Sequence, residues 1–253
     1  MRLLYDNKAD DYTPIVSTEE TGYLGTNAQH IHLSKVWRTT ADAAQSWKID
    51  AGAGNTITAT AAAIIGRGNY RHNLTSAVTA KIQGHPTDAW GAPDVDQTLV
   101  YDADIMLKFF TSAAKRFWRF YLDDAANPDT YLEVPRLFLG TYLQFPITFE
   151  KDFSEKHANT SKMTLSLSGQ PYVDVGYVGR EYELRFTFLE DSDKRSLATA
   201  LNAVALQEPV LLVLDENNLV ALPPIYGILT EEPAFDHLVG YIWQCSLKIR
   251  ETF

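Results

Sequence analysis

The sequence predicts an all-β protein with one short helix, its two parts meeting near residues 142–146. Three observations carry this. Apolar and polar side chains alternate in run after run, the period at which a strand turns successive residues to opposite faces. Clusters of Gly, Pro, Asn and Asp punctuate those runs. Only one stretch spaces its apolar residues as a helix does.

Residues 46–66, SWKIDAGAGNTITATAAAIIG, read as strand, turn and strand, with the turn at Gly52–Asn55 and the second strand mostly buried. After Gly66, Gly68 and Asn69, residues Ala77–Gln83 alternate as another strand. GHPTDAWGAPDVDQTLVYDA, residues 84–103, holds two Pro, two Gly and four Asp, which suits a long polar loop. Arg116–Leu122 alternates again, with Trp118, Phe120 and Leu122 on one face and Phe117, Arg119 and Tyr121 on the other. A turn at Asp123–Asp129 leads to a return strand, Tyr131–Leu139, and that pairing would bring Arg119 close to Arg136 in structural hydrogen bonds or ion pairs.

Beyond Pro146, two alternating runs flank a polar tip at Glu155–Thr160, which predicts a hairpin with a long loop. Tyr182–Leu189 is a clean amphipathic strand with Tyr182, Leu184, Phe186 and Phe188 on one side. The helix follows: Asp191, Ser192 or Asp193 can cap it, and Leu197, Leu201, Val204 and Ala205 form its apolar face before Pro209. Strands resume at Val210–Leu214, a turn falls at Asp215–Asn218, and Tyr241–Arg250 closes the chain.

With 45% apolar and 21% charged residues the composition is that of a folded chain. The net charge of -10 argues against a protein that grips nucleic acid through its phosphates. Cys245 stands alone, which leaves no intrachain disulfide and no cysteine zinc site within one subunit. The N-terminal MRLLYDNKADDYTP turns acidic by Asp6, so no export signal is expected. The longest apolar runs, Ala59–Ile65 and Pro209–Leu214, fall short of the ~20 residues of a membrane helix. A soluble protein made in the cytoplasm is expected, with no membrane insertion.

No residues anchor an enzyme: GxSxG, HExxH and P-loop patterns are absent. His30 and His32 would point to one face of a strand and can supply two metal ligands, but no third ligand accompanies them, and a polar surface pair is the better reading. Asp10 with Asp11, Asp123 with Asp124, and Asp94 with Asp96 can hold Ca²⁺ but lack EF-hand spacing, so solvated turn acids are favoured. No catalytic residue, metal site or cofactor is therefore assigned. Trp47, Trp118 and Trp243 fall in strand patterns and are expected in a core. Trp90 lies in the long loop beside acids, where an aromatic can stack on a sugar or dock on a neighbour, and His85 and Asp88 are its companions as a glycan or partner contact.

WRTTADAAQSWKIDAGAGNTITATAAAIIGRGN at residues 37–69, with RFWRFYLDD and YLEVPRLFLGTY at residues 116–142, resembles the galactose-binding-like jelly roll of the discoidin, or coagulation factor 5/8 C, type. The matching motifs are Trp47–Gly52 and Arg116–Phe120. The order of elements that follows, RLFLG, GQPYVD (Gly169–Asp174), an alternating strand, a short helix and PVLLVLDE, is similar to distal tail proteins of long-tailed bacteriophages, whose second part is a tail-tube-like β-sandwich with a flanking helix.

The resemblance implies a jelly roll over residues 1–142 and a ring-forming domain over residues 143–253. It further implies a non-enzymatic structural component of the virion tail tip, or baseplate, whose C-terminal domain forms a homo-hexameric ring. Its partners would be the tail-tube protein and tail-tip hub or fibre proteins, with DNA only in transit through an acidic channel. Glu155, Lys156, His157 and Asn159 would belong to an inter-subunit arm. The alternative is a carbohydrate-binding module for host surface glycan, and an enzyme ranks third.

Overall fold

The computed structural model describes residues 1–145, 154–159, 161–174, 176 and 178–252. The chain forms two compact units, one of Leu4–Tyr142 and one of Leu143–Thr252 together with Met1–Leu3. Regular structure among the described residues is nearly all strand, with one α-helix.

The N-terminal unit is built from β1 (Arg2–Asn7), β2 (Ile15–Val16), a 3-10 turn (Gly25–Gln29), β3 (Trp37–Arg38), β4 (Gln45–Asp50), β5 (Ile57–Ile65), β6 (Thr79–His85), β7 (Val95–Thr98), β8 (Ile105–Lys115), β9 (Phe117–Asp123), β10 (Glu133–Val134) and β11 (Arg136–Gln144). One sheet runs β2-β4-β9-β6-β7 and the other β1-β11-β5-β8, while β3 pairs with β10 alone. Trp47, Ile49, Ile82, Trp118, Phe120 and Leu122 from the first sheet meet Ala62, Ile64, Met106, Leu137 and Leu139 from the second in one buried core. A sandwich results, because each sheet has a single apolar face and each hides it against the other.

Register places the large side chains. Trp47 stands opposite Phe120, and Ile49 opposite Trp118, with Ile82 opposite Phe120 on the other flank of β9. The Trp118 ring lies over Gly84, where a Cβ would come within 2.9 Å of it, so only glycine fits there. Each buried indole finds a carbonyl: Trp47 Nε1 donates to Gly25 O at 2.9 Å, Trp118 Nε1 to Ile57 O at 3.0 Å and Trp37 Nε1 to Thr18 O at 3.0 Å.

Two expectations are corrected in this unit. The long loop contains a strand, β7, because Val95 is buried and residues 95–98 pair with Gly84–Lys81. Residues Arg116–Leu122 and Tyr131–Leu139 do not pair with each other. β9 lies between β4 and β6, whereas β11 pairs with β5 in the other sheet. The turn is too long to bind them as a hairpin, and burial of β11 against the alanine-rich β5 wins. Arg119 and Arg136 therefore stand on different sheets.

Arg116 and Asp50 close the edge of the β4–β9 pair through Nε at 2.6 Å and Nη2 at 2.8 Å. The Arg116 hydrogen bonds hold the Asp50 carboxyl below its ordinary value of 3.8, with the Gly52 N–H adding to them. A carboxyl with a lowered folded pKa stabilises fully above its unfolded value, and the gain is lost as pH falls through the folded one. In urea titrations between pH 6 and pH 2, Arg116→Gln is expected to flatten the acid limb of the stability curve. An acid limb identical to that of the native chain would contradict the pairing.

The second unit comprises β12 (Ser154–Asn159), β13 (Lys162–Leu165), β14 (Pro171–Asp174), β15 (Val178–Glu190), α1 (Asp191–Val204), β16 (Val210–Val213), β17 (Ile225–Leu229), β18 (Phe235–Val239) and β19 (Ile242–Glu251). Its main sheet runs β12-β15-β19-β17-β16, with β18 also paired to β19, and β13 and β14 form a separate hairpin. Leu197, Ala200, Leu201 and Val204 are the buried face of α1, which packs on β15 and β19. Arg180 and Glu251 form a buried ion pair at 2.6 Å.

Tyr182, Leu184 and Phe186 are buried as expected, but Phe188 is 63% exposed and Leu189 takes its place inside. A bulge between Phe186 and Leu189 shifts the pleat by one residue. Glu190 occupies the helix cap position and makes no side-chain cap bond. Asp191, an expected cap, instead accepts a hydrogen bond from Trp243 Nε1 at 2.6 Å. Trp243 is only half-buried, with the Lys194 ammonium 3.1 Å from its ring centroid, and so lies at the rim of the core. Cys245 is a core thiol whose pKa burial pushes up to about 12.

The expected polar tip at Glu155–Thr160 is also corrected. Glu155, Lys156, His157 and Asn159 lie in β12, paired along β15 from Ser154–Glu183 to Asn159–Val178. Thr160 and the start of that predicted hairpin, residues 146–153, lie outside the described residues. The chain turns instead at residues 166–170, where Ser166 N donates to Gln170 O and Gly169 N to Ser166 O, both at 2.9 Å, with Gly169 at φ +78.

Candidate functional site

Side chains of the five-stranded sheet that do not enter the core make a polar outer face. Arg119 and Tyr121 come from β9, Lys81 and Gln83 from β6, Lys48 from β4 and Asp96 from β7. Over this face folds the loop that carries Asp88 and Trp90. The Trp90 ring lies over the Arg119 guanidinium, 4.4 Å from centroid to Cζ, with the Tyr121 ring at 5.2 Å. Trp90 Nε1 donates to Asp88 Oδ1 at 2.7 Å, and Lys48 Nζ donates to Asp88 Oδ2 at 2.5 Å. Trp90 remains partly exposed.

The electrostatics of the face follow from these contacts. The Lys48 hydrogen bond is the main cause that holds the Asp88 carboxyl below the usual carboxylate range. Burial draws the Arg119 guanidinium below its ordinary value. Arg119 Nε donates to Gln83 Oε1 at 2.7 Å, and Gln83 Nε2 passes the chain on to Asp96 at 3.2 Å. Lys81 also holds Asp96, at 3.0 Å.

The other expected site residues are distributed as follows. His85 does not join Trp90 and Asp88: its Nδ1 lies 2.8 Å from Thr87 O and accepts the Thr87 N–H at 3.1 Å, while Nε2 stands 3.8 Å from Asp94. Lys115 holds the same Asp94 at 2.5 Å and lowers its pKa. His30 and His32 lie with ring centroids 5.1 Å apart, and His30 Nδ1 accepts the His32 N–H at 3.1 Å. Asp10 is tied to Arg136 and Asp11 to Lys8. Asp124 accepts from Thr75 N, Thr75 Oγ1 and Asn127 Nδ2 at 2.7, 2.6 and 3.0 Å. No group of three or more His, Cys, Asp and Glu converges as a metal site among the described residues.

Sequence reasoning missed a second feature. β13 and β14 pair Met163 with Val173 and Thr164 with Tyr172, and every residue of both strands is exposed. Met163 is 70%, Leu165 68%, Tyr172 60% and Val173 57% exposed, and Leu167 at the tip is fully so. A two-stranded hairpin is marginal in water by itself, and contiguous exposed apolar side chains mark interaction surfaces. In the same unit an open groove of about 710 Å³, rimmed by Val239 and Tyr241, lies beside the first turn of α1. The cue for the hairpin was present in Met163, Leu165 and Leu167 at period two. Nothing in the sequence marked them as exposed.

No family model and no curated protein matches the sequence. Among solved structures, a chitosan-binding module of a chitosanase/glucanase from Paenibacillus sp. IK-5 is similar at TM-score 0.41 and 16% identity, over 55% of this chain and 99% of that one. The lectin domain of lectinolysin, solved with Lewis B antigen, is similar at TM-score 0.43 and 16% identity, over 54% and 96%. A family 32 carbohydrate-binding module of C. perfringens NanJ, solved with galactose, is similar at TM-score 0.43 and 11% identity, over 56% and 100%. Likeness at this level assigns no ligand to this chain.

Proposed function

We propose that the chain is a non-catalytic assembly protein whose C-terminal unit joins copies of itself into a closed ring and whose N-terminal sandwich carries the ligand-facing surface. The setting is the tail tip of a long-tailed bacteriophage, as the sequence resemblance implies, with the ring adapting the tail tube to host-recognition parts. The observation that carries the reading is the β13–β14 hairpin, whose apolar side chains stand exposed, without cover among the described residues. A head-to-tail ring needs two unlike complementary surfaces per subunit. The hairpin and the groove beside Val239 and Tyr241 supply such a pair.

The test is Leu165→Glu together with Leu167→Glu. Both side chains are exposed, so the circular dichroism spectrum should stay as it is while the oligomer dissociates in sedimentation velocity. An oligomer of unchanged size would exclude the hairpin as the joint.

The second reading is carbohydrate binding by the N-terminal sandwich, favoured by Trp90, an aromatic held in a fixed pose among polar side chains and partly open to solvent. Sugars are also named for the chitosan-binding module, the lectin domain and the family 32 module, but the weight here rests on Trp90. Glycan-array binding that Trp90→Ala abolishes, with the fold intact, is its expected signature. An array without signal would set it aside.

A further inference from the structure

The outer face around Trp90 carries the cations Lys48, Lys81 and Arg119 and the carboxylates Asp88 and Asp96, with Asp123 further along β9, accepting from the Tyr121 hydroxyl at 3.3 Å. Lys48 is matched by Asp88 and Lys81 by Asp96. Arg119 feels Asp88 and Asp96 at a distance but is the one of the three cations with no salt bridge among the described residues. Its Nε donates to the neutral Gln83 at 2.7 Å, and among the described residues its two terminal amino groups have no acceptor. The guanidinium lies over the Trp90 ring and near Tyr121 with its Nε bonded to Gln83, so its direction is set before any ligand arrives.

A partly buried guanidinium with free terminal N–H groups is a fork for a carboxylate, which it can meet with two parallel hydrogen bonds. The carboxylates Asp88 and Asp96, which a neutral sugar would use to accept from its hydroxyls, already serve Trp90, Lys48, Lys81 and Gln83. What the face still offers is therefore positive charge beside an aromatic ring. We propose that Arg119 and Trp90 bind an acidic saccharide, the guanidinium taking the carboxylate and the indole the ring that bears it. This deepens the carbohydrate reading and rests on it.

The probe is an array of uronate- and sialate-bearing oligosaccharides, each beside its carboxyl methyl ester. The native chain is expected to hold at least one acid at least about tenfold more tightly than its ester, the loss typical of a removed charged hydrogen bond. Arg119→Gln should bring acid and ester together, Arg119→Lys should fall between, and Trp90→Ala should weaken both. Added salt should weaken the acid alone.

Equal binding of acid and ester, unmoved by Arg119→Gln, would overturn the acidic-ligand proposal and leave the carbohydrate reading standing. An array without signal would overturn both. Competition by free acetate at the concentration where the saccharide competes would show that the ring is not recognised, and would also overturn the proposal. The acid-to-ester comparison is made on the native chain, so a variant that misfolds cannot decide it.

Discussion

Trp118→Ala is expected to destabilise the protein by ~3–5 kcal/mol, the range for emptying a buried aromatic site. The indole is 1% exposed, lies over Gly84 and packs 5.8 Å from the Phe110 ring. Its removal leaves a cavity between the sheets and an unpaired carbonyl at Ile57, which at present accepts from Nε1 at 3.0 Å. Against a typical stability of ~5–15 kcal/mol this is a large fraction. Guanidinium unfolding followed by circular dichroism should show the midpoint falling accordingly. A loss below ~1 kcal/mol would mean that the indole is not part of the packed core.

The second large effect is expected at Arg136. Its side chain is 4% exposed and its Nη2 lies 2.5 Å from Asp10, while Nη1 lies 2.7 Å from the other carboxylate oxygen and also meets the Gln29 carbonyl. One guanidinium thus fastens β11 to the loop after β1 and to the 3-10 turn. Arg136→Ala removes the hydrogen bonds to the Asp10 carboxylate, which is itself 29% exposed, and to the Gln29 carbonyl, and should cost roughly 1.5–3 kcal/mol, the range for hydrogen bonds to a charged group. Asp10→Asn in the same background should restore part of the loss, because the carboxylate charge is then gone. No restoration would place the cost in packing of the Arg136 stem.

Both residues could be singled out in the sequence for different reasons. Period-two alternation placed Trp118, Phe120 and Leu122 inside, since a strand can hide only alternate residues. It gave Arg119 to the outer face for the same reason. What alternation could not supply was the partner of each strand: β9 joins β4 and β6 across long loops, and side-chain fit selects those neighbours. Sequence proximity alone therefore puts Arg119 near Arg136, although β9 and β11 lie in different sheets.

Phe188 and Leu189 exchanged faces because a bulge adds one residue to the strand, and the alternation carries no mark of it. Trp90 was visible as an aromatic among loop acids. Its contact with Arg119 was hidden, because the two are far apart in the chain and meet only when the loop folds back. Polar residues 155–159 read as a turn, yet the hairpin lies one segment later, at β13–β14. They are instead an edge strand whose charges suit an exposed edge.

A closed assembly built through the C-terminal unit is what we propose for this chain. Mass measurement of the native protein in solution over a hundredfold range of concentration tests it most directly. A closed ring predicts one stable species at a whole multiple of the 28.4 kDa chain, six copies if the tail-tip setting holds, with an annular outline in electron micrographs. A single 28.4 kDa species at every concentration would contradict it.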